Sequence, residues 1–220
     1  MSVKIHQTTP ATFSFELIER WRTIPVAIVV DVSKGTCQID PAIRPLRPAG
    51  QQPRLFGLAV TALCAPPDFG AVLHALDVMK VGEVLVISTQ DNAQHAMIGS
   101  ILGGHLRRMG AAGIVCDGAI RDVSELARWN ELSVYSRSIT PRGPTGAGFG
   151  EVNAPVMIGG LRVNSGDLIV GDDDGLAALT PVAAQTFIEA AETKLALEET
   201  WQKKLASGKS IAVTFGLDVP

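Results

Sequence analysis

The chain is poor in aromatic residues and in cysteine, and it has no long apolar run. Aromatic residues make up 5% of its 220 residues, and the three cysteines, Cys37, Cys64 and Cys116, fall outside any CxxC pattern. An odd number of widely spaced cysteines argues against a disulfide framework and predicts reduced, mostly buried thiols. Because no apolar run approaches the roughly 18 residues of a membrane-spanning helix, we expect no membrane partner.

Positive charge is not clustered anywhere in the chain. The formal net charge is −3 and the sequence pI is about 5.8. No basic patch could follow a phosphate backbone, which argues against nucleic acid as a direct partner. The first residues, MSVKIHQTTP, lack the basic and then apolar pattern of a secretion signal. We therefore expect a soluble, cytoplasmic protein.

Length and composition predict one large domain. A chain of 220 residues can bury a proper core, and no break in composition indicates a second domain. Hydrophobic residues make up 46% of the chain, and there are 22 glycines. This slightly apolar composition is compatible with an oligomer that buries further surface between subunits.

Through the middle of the chain, apolar runs typical of buried strands alternate with helical patterns. We expect strands in RLFGLAVTALCA, GEVLVIST, GIVCD and LSVYSRS, and helices in DFGAVLHALDVM, IGSILGGHLRRMG and VSELARW. This alternation predicts an α/β core with parallel strands. From Glu151 to Thr180 short strands are separated by GG, NSGD and DDDG turns, which predicts added antiparallel sheet.

The two ends of the chain contain helical patterns. FSFELIERW has apolar residues at helical spacing, and residues 181–206 form a long amphipathic pattern with proline in its first turn. Between them, IPVAIVVDV is rich in β-branched residues and predicts a strand on propensity alone. The segment 41–53 is rich in proline, so we expect it to be irregular.

The segment GSILGG, Gly99 to Gly104, predicts the start of a helix with Ser100 as a plausible cap. A helix start exposes unpaired backbone N–H groups and the positive end of the helix dipole, which bind carboxylates and phosphates. Plain capping or close packing is the structural alternative for such a start.

The segment CDGAIRDVSEL, Cys116 to Leu126, places Arg121 and Asp122 side by side where a buried strand passes through a glycine turn into a helix. Arginine offers a planar fork for a carboxylate or keto oxygen, and aspartate offers an oxygen ligand suited to Mg²⁺. Open α/β sheets bind ligands at the carboxyl ends of their parallel strands. The structural alternative is an aspartate that caps the helix and an arginine at the surface.

These segments resemble the 4-hydroxy-4-methyl-2-oxoglutarate aldolase family and its close relative, the group named after the regulator of ribonuclease E activity A (RraA). The resemblance covers about residues 40–206 and rests on DPAIRPL, GSILGGHLRRMGAAGIVCDGAIRDVSEL, SRSITPRGP and GEVNAPVMIGGLRVNSGDLIVGDDDG. Its most specific part is the spacing from the glycine at the helix start to Arg121 and Asp122, with an acid, Glu125, three residues farther on.

The resemblance implies a swivelling β/β/α (RraA-like) fold in a single domain over residues 1–220. An N-terminal helical arm would cover about residues 1–40, and a long C-terminal helix would cover about residues 181–206. The family assembles as homotrimers or homohexamers with active sites between subunits. Relatives carry a helix where IPVAIVVDV stands, so the resemblance and the propensity disagree about this segment.

The resemblance also implies a chemistry. The family's enzymes are class II pyruvate aldolases that depend on Mg²⁺ or Mn²⁺, and many also decarboxylate oxaloacetate. Arg121 would bind the keto oxygen or carboxylate of the substrate, and Asp122 would hold the metal. Family members that act only as ribonuclease regulators typically lack an aspartate there, so Asp122 favours an enzyme. The backbone that would receive the pyruvate carboxylate belongs to Gly99, Ser100, Ile101 and Leu102.

Several further positions have two interpretations each. Ser100 stands where the aldolases usually carry an acid, which favours decarboxylation over aldol cleavage. Glu198 either lies on a solvated helix face or, as in the family, reaches the neighbouring subunit's site. Arg142 either touches an acidic substrate or is exposed to solvent. For GDDDG, a hairpin turn is favoured over a metal cluster.

Two functions follow as hypotheses. The first is a metal-dependent lyase for a short 2-oxo acid, such as 4-hydroxy-4-methyl-2-oxoglutarate or oxaloacetate, acting through a metal-stabilised pyruvate enolate. Mg²⁺ is the first expectation for the metal and Mn²⁺ the second. The alternative is a non-catalytic RraA-like regulator that binds an RNA-processing enzyme. Methyl transfer to a quinone lacks support, because no glycine-rich nucleotide loop is followed by an acidic strand end.

Overall fold

The computed structural model describes residues 2–8 and 13–217, which form a mixed α/β domain. Its helices are α1 (Phe15–Trp21), α2 (Val26–Val32), α3 (Gly70–Val78), α4 (Ser100–Arg108), α5 (Val123–Leu126), α6 (Pro181–Ala206) and α7 (Ile211–Phe215). Its strands are β1 (Lys4–Ile5), β2 (Arg44–Pro45), β3 (Leu55–Leu63), β4 (Val84–Ser88), β5 (Ala96–Ile98), β6 (Gly113–Ile120), β7 (Ser133–Ile139), β8 (Glu151–Val152), β9 (Val156–Ile158), β10 (Leu161–Val163), β11 (Leu168–Asp172) and β12 (Gly175–Leu179).

Four neighbouring strands, β3, β4, β6 and β7, run parallel in this order at the centre of the sheet. Every residue of β4 and β6 is buried, which explains why these runs, apart from Ser88 and Asp117, are apolar rather than alternating with polar residues. Apolar residues of α3 and α4 pack with them in one core cluster. The predicted α/β core with parallel strands is confirmed.

Strand β11 joins the parallel strands to antiparallel sheet. It pairs antiparallel with both β3 and β12, and β9 and β10 form a separate antiparallel pair. The segment GDDDG makes the turn between β11 and β12, where Asp172 Oδ1 accepts the N–H of Asp174 at 3.1 Å. Both the hairpin turn and the antiparallel character of this part of the chain are confirmed.

The segment IPVAIVVDV contains helix α2, so the strand predicted from its β-branched residues is wrong and the helix implied by the family resemblance is right. Val26, Ile28 and Val29 are buried in a cluster with residues of β11, β12 and α6. The N–H of Val26 donates to Asp172 Oδ2 at 2.8 Å, so a residue of the distant hairpin stabilises the helix start. This packing outweighs the modest helix propensity of valine and isoleucine.

Helix α6 begins and ends where the sequence predicts. Thr180 caps it by accepting the N–H of Ala183 at 3.1 Å, and Pro181 is its first residue. The indole N–H of Trp21 in α1 donates to the carbonyl of Ala184 at 3.2 Å. Helices α1 and α2 therefore pack on the first half of α6 in one core cluster.

The cysteines are buried and unpaired, as expected: Cys37, Cys64 and Cys116 are all free thiols. Burial raises the pKa of Cys64 to about 12, so this group stays protonated at neutral pH. Among the residues described, no helix combines the length and the apolar character that a bilayer crossing requires.

Candidate active site

The sheet brings Arg121 and Asp122 to the start of helix α4. β5 leads directly into α4, and β5 pairs in parallel with the end of β6, which leads into Arg121. The N–H of Arg121 donates to the carbonyl of Ile98 at 3.1 Å. Two separate predictions, the helix start at Gly99 and the Arg-Asp pair, therefore describe one place at the carboxyl ends of the strands.

The glycine turn predicted within CDGAIRD is wrong, because β6 continues through Asp117 and Gly118 to Ile120. The pairing of β6 with β7 is irregular at this point. A Cβ atom on Gly118 would collide with the hydroxyl of Thr89. Glycine is therefore required here by the close approach of the loop after β4, and not by a turn.

Asp122 caps helix α4 with its side chain. Its Oδ2 accepts the N–H of Ser100 at 2.9 Å and the Ser100 hydroxyl at 3.0 Å. Ser100 is the first helical residue and Gly99 is the N-cap, so the prediction of Ser100 as the cap is wrong. The backbone and hydroxyl donors of Ser100, together with the charge of Arg121, outweigh burial and hold the pKa of the Asp122 carboxyl below its usual value.

The Arg121 guanidinium remains accessible beside this carboxylate. Its Nε lies 3.8 Å from Asp122 Oδ2, beyond hydrogen-bond distance, and both side chains are 40% exposed. A Cβ atom on Gly99 would lie 2.5 Å from Asp122 Oδ2 and 2.9 Å from Arg121 Cγ. Glycine at this position is therefore what allows the pair to approach the helix start.

These groups line a cleft of about 290 Å³. Of the residues predicted to bind substrate, Gly99, Ile101, Leu102 and Arg121 line the cleft, whereas Ser100 is turned towards Asp122. In the described part of the chain, the N–H groups of Ile101 and Leu102 have no acceptor, while that of Ser100 is taken by Asp122. Of the four N–H groups predicted to receive the carboxylate, that of Ser100 is therefore already occupied by Asp122.

Asp122 contributes a carboxylate to the lining of this cleft. Its Oδ1 accepts no hydrogen bond from the residues described, which leaves that oxygen available to a cation. Residues 2–8 and 13–217 contain no group of three or more histidine, cysteine or acidic side chains that could hold a metal. Glu125 is exposed on α5 and Glu198 lies 3.8 Å from Lys194 Nζ on α6, and neither lines the cleft.

A buried carboxylate that the sequence reasoning missed joins two of the segments that line the cleft. Asp68 accepts the N–H groups of Gly70 and Gly148 at 2.8 Å and that of Phe149 at 3.0 Å. Burial alone would raise the pKa of Asp68, but these three donors outweigh it and hold the pKa below its usual value. The carboxylate fixes the start of α3 to the loop after β7, and both segments contribute walls to the cleft.

Sequence reasoning also missed another Arg–Asp pair, which lies near the ends of the same strands. Arg137 Nε donates to Asp117 Oδ1 at 2.6 Å, and its Nη1 donates to Asp40 Oδ2 at 3.0 Å. Asp117 Oδ2 accepts the N–H of Gly159 at 2.7 Å, and its side chain is only 5% exposed. The parallel pairing of β6 with β7 brings the two residues together, and that register is not visible in the sequence.

Comparison with known proteins places the chain among relatives with aldolase names. The RraA-like family model, described as "Aldolase/RraA", matches residues 26–177. A protein of Halalkalibacterium halodurans named "Putative 4-hydroxy-4-methyl-2-oxoglutarate aldolase" is 30% identical over 191 residues, which cover 87% of this chain and 89% of the relative.

Solved structures share the fold. An uncharacterized protein from Pseudomonas syringae pv. tomato has a TM-score of 0.81 at 22% identity, covering 94% of this chain and 99% of the other. Streptomyces coelicolor RraAS2, described as an unusual member of the RNase ES inhibitor RraA family, has a TM-score of 0.73 at 24% identity, covering 89% of this chain and 100% of the other. The predicted RraA-like fold, with mixed sheet and a long C-terminal helix, is confirmed.

Proposed function

The chain belongs to the RraA-like family, and on this basis we propose that it is a divalent-metal-dependent lyase that releases pyruvate from a short 2-oxo acid. The observation that carries the proposal is the meeting of Arg121, Asp122 and the two free N–H groups of α4 in one cleft. A carboxylate oxygen is a suitable ligand for Mg²⁺. A guanidinium and the free N–H groups of a helix start are suitable donors to a 2-oxo carboxylate.

The proposed substrates are 4-hydroxy-2-oxo acids of the 4-hydroxy-4-methyl-2-oxoglutarate type for aldol cleavage and oxaloacetate for decarboxylation. The name of the Halalkalibacterium halodurans relative supports the first of these. The N–H groups of Ile101 and Leu102 would donate to the C1 carboxylate. The Arg121 guanidinium, which Asp122 does not occupy, would donate to the 2-oxo oxygen.

Asp122 fits a divalent cation, with Mg²⁺ as the first choice and Mn²⁺ as the alternative. Its pKa is low, so it is ionised at neutral pH, and Ser100 fixes its Oδ2 while Oδ1 stays free. Mg²⁺ usually keeps several waters and takes one or two carboxylates, so the remaining ligands would be water and substrate oxygens. A bound cation supplies Lewis-acid polarisation of the 2-oxo group and stabilises negative charge there.

Arg121 would stabilise the charge that develops when the C3–C4 bond of the substrate breaks. The electron pair of this bond moves onto C3 and the 2-oxo oxygen, which gives the enolate of pyruvate, and a proton added at C3 completes pyruvate. A guanidinium already directed at this oxygen stabilises the transition state more than the substrate.

Ser100 bears on the balance between the two reactions. Decarboxylation releases CO₂ and needs no base, whereas aldol cleavage needs a group that takes the 4-hydroxyl proton. The Ser100 hydroxyl donates to Asp122, and a neutral hydroxyl is a weak base. We therefore expect oxaloacetate decarboxylation to exceed aldol cleavage, and an aldolase efficiency equal to or above the decarboxylase efficiency would contradict this argument.

We also propose a homotrimer or homohexamer with the site between subunits. Ile101, a cleft residue with an apolar side chain, is 78% exposed, which is consistent with a cleft that a neighbouring subunit partly covers. Glu198 of that neighbour is the candidate for a further acidic group at the site. Size measurement of the purified protein tests the assembly.

The deciding experiment measures pyruvate release from oxaloacetate and from 4-hydroxy-4-methyl-2-oxoglutarate, with Mg²⁺ and with EDTA, for wild type and Asp122→Asn. We expect turnover that EDTA abolishes and that the substitution lowers about 10²- to 10³-fold. Failure of wild type to exceed the metal-only blank with either substrate would remove the lyase proposal. A stable, non-catalytic complex with an RNA-processing enzyme would then be the function to test.

A further inference from the structure

The Arg121 side chain lies between two glycines and has no close ionic partner. In the described chain its guanidinium donates no hydrogen bond, and its Nε stays 3.8 Å from Asp122 Oδ2. The stem of the side chain lies against Gly99, where an added Cβ would be 2.9 Å from Arg121 Cγ. The head lies against Gly143 in the loop after β7, where an added Cβ would be 2.5 Å from Nη1 and 3.3 Å from Cζ. Contact with backbone on two sides therefore limits where the guanidinium can lie.

The loop that carries Gly143 is fixed on both sides of this contact. Backbone hydrogen bonds of 2.8–3.1 Å tie it to neighbouring segments, each from the N–H of the first residue to the carbonyl of the second: Thr140 to Ile120, Ala96 to Arg142 and Thr145 to Pro67. Pro141 and Pro144 further restrict the backbone between these bonds. The loop therefore resists retreat from a larger residue at position 143, whereas the end of an arginine side chain moves easily.

We propose that Gly143 is a positioning residue, which admits the guanidinium against the loop and so directs Arg121 at the 2-oxo oxygen of the substrate. Its effect on turnover rests on the proposed function, whereas its effect on the position of the guanidinium does not. Both glycine contacts lie within one chain, so they hold whether or not a neighbouring subunit covers the cleft. The Cβ of an alanine at 143 would lie about 1 Å inside ordinary contact distance of Nη1, so the guanidinium has to shift by about that much.

Gly143→Ala tests the positioning role, with Gly148→Ala as the matched control. Both glycines lie in the loop after β7 and neither has a positive φ, but a Cβ added at Gly148 meets nothing within 4 Å. With oxaloacetate and Mg²⁺, we expect kcat/KM for pyruvate release to fall about 10- to 10²-fold in Gly143→Ala, mainly through kcat, because Arg121 acts on charge that develops in the transition state. The control should keep wild-type kinetics. Wild-type kinetics in Gly143→Ala, or an equal loss in Gly148→Ala, would overturn the inference.

The Arg121→Lys background separates positioning from a structural role of the loop. Lysine lacks the planar head that contacts Gly143, so the added Cβ has no guanidinium to displace. We therefore expect Gly143→Ala to lower kcat/KM by less than about twofold in this background, although it lowers kcat/KM strongly in wild type. An equal loss in both backgrounds would show that the substitution disturbs the loop itself, and it would overturn the inference.

Crystal structures of wild type and Gly143→Ala give a readout that needs no turnover. We expect Arg121 Cζ to move by about 1 Å or more in the variant, while the loop backbone and Asp122 keep their wild-type positions. A guanidinium at its wild-type position, or a displaced loop, would overturn the inference. If no acid releases pyruvate, the lyase proposal fails, and these structures still decide whether Gly143 positions Arg121.

Discussion

The two Arg–Asp pairs near the carboxyl ends of the parallel strands consist of the same two residue types but have opposite roles. In the first, Arg137 Nε lies 2.6 Å from Asp117 Oδ1, and Asp117 is 5% exposed. In the second, Arg121 Nε lies 3.8 Å from Asp122 Oδ2, and each side chain is 40% exposed. The first pair uses its donors and acceptors to hold neighbouring segments, while the second keeps a guanidinium and a carboxylate oxygen for a ligand. Burial and local partners, and not residue type, distinguish them.

Asp122→Asn should have the largest effect of these substitutions, and it should lower catalytic activity without a large change in stability. We expect kcat/KM for pyruvate release to fall about 10²- to 10³-fold, because a neutral amide is a poor metal ligand and loses charge stabilisation at the site. Asparagine can still accept from Ser100 and tolerates the φ of 57° at this position, so stability should change by no more than about 1 kcal/mol. Enzyme assay and urea unfolding measure both quantities; near-normal turnover would remove Asp122 from the site.

Asp117→Asn should lower stability and leave catalytic activity almost unchanged. The substitution leaves the half-buried Arg137 with Asp40 as its remaining close carboxylate, so we expect the free energy of unfolding to fall by about 3 kcal/mol. The kcat/KM of the folded fraction should stay near that of wild type. Urea unfolding gives the stability. A variant of normal stability that had lost turnover would exchange the roles assigned to the two pairs.

Asp68→Asn tests whether a buried carboxylate outside both pairs supports the cleft. We expect a loss of about 2 kcal/mol at pH 7, because three backbone N–H groups lose a charged acceptor. The folded pKa of Asp68 is depressed, so its stabilisation is present above the unfolded value of about 4 and is lost as pH falls through the folded value. The difference between wild type and variant should therefore shrink below about pH 4 in urea titrations. A difference independent of pH would contradict this assignment.

Asp91→Asn should have the smallest effect and serves as the control for Asp117. Its carboxylate lies 3.9 Å from the same Arg137 Nε, but its side chain is 80% exposed. Exposed pairs contribute little, so stability should change by no more than about 0.5 kcal/mol. Asparagine also tolerates the φ of 63° found here. A cost close to that of Asp117→Asn would show that burial is not what separates the pairs.

Much of the fold was predictable because its signals are local. The apolar runs of β4 and β6, the Asp-Gly turn before β12 and the Thr-Pro start of α6 each lie where the sequence predicts. Helix α2 was not predictable from propensity, because its stability comes from the core formed with α6 and from a cap by Asp172 on a distant hairpin. Helix α4 was predicted from the sequence, but the capping of its start by the side chain of Asp122, rather than of Ser100, was not.

By itself the sequence determined the alternation of strands and helices in the parallel core, and it identified Arg121 and Asp122 as neighbours at a strand end, because periodicity and adjacency are properties of the chain. Tertiary structure alone decided which of two aspartates in CDGAIRD is buried and which is open. Asp117 meets Arg137 across the pairing of β6 with β7, and Asp122 meets Ser100 at the start of α4. Solvent access and hydrogen-bond partners depend on residues brought together by folding, so the local sequence carries no record of them.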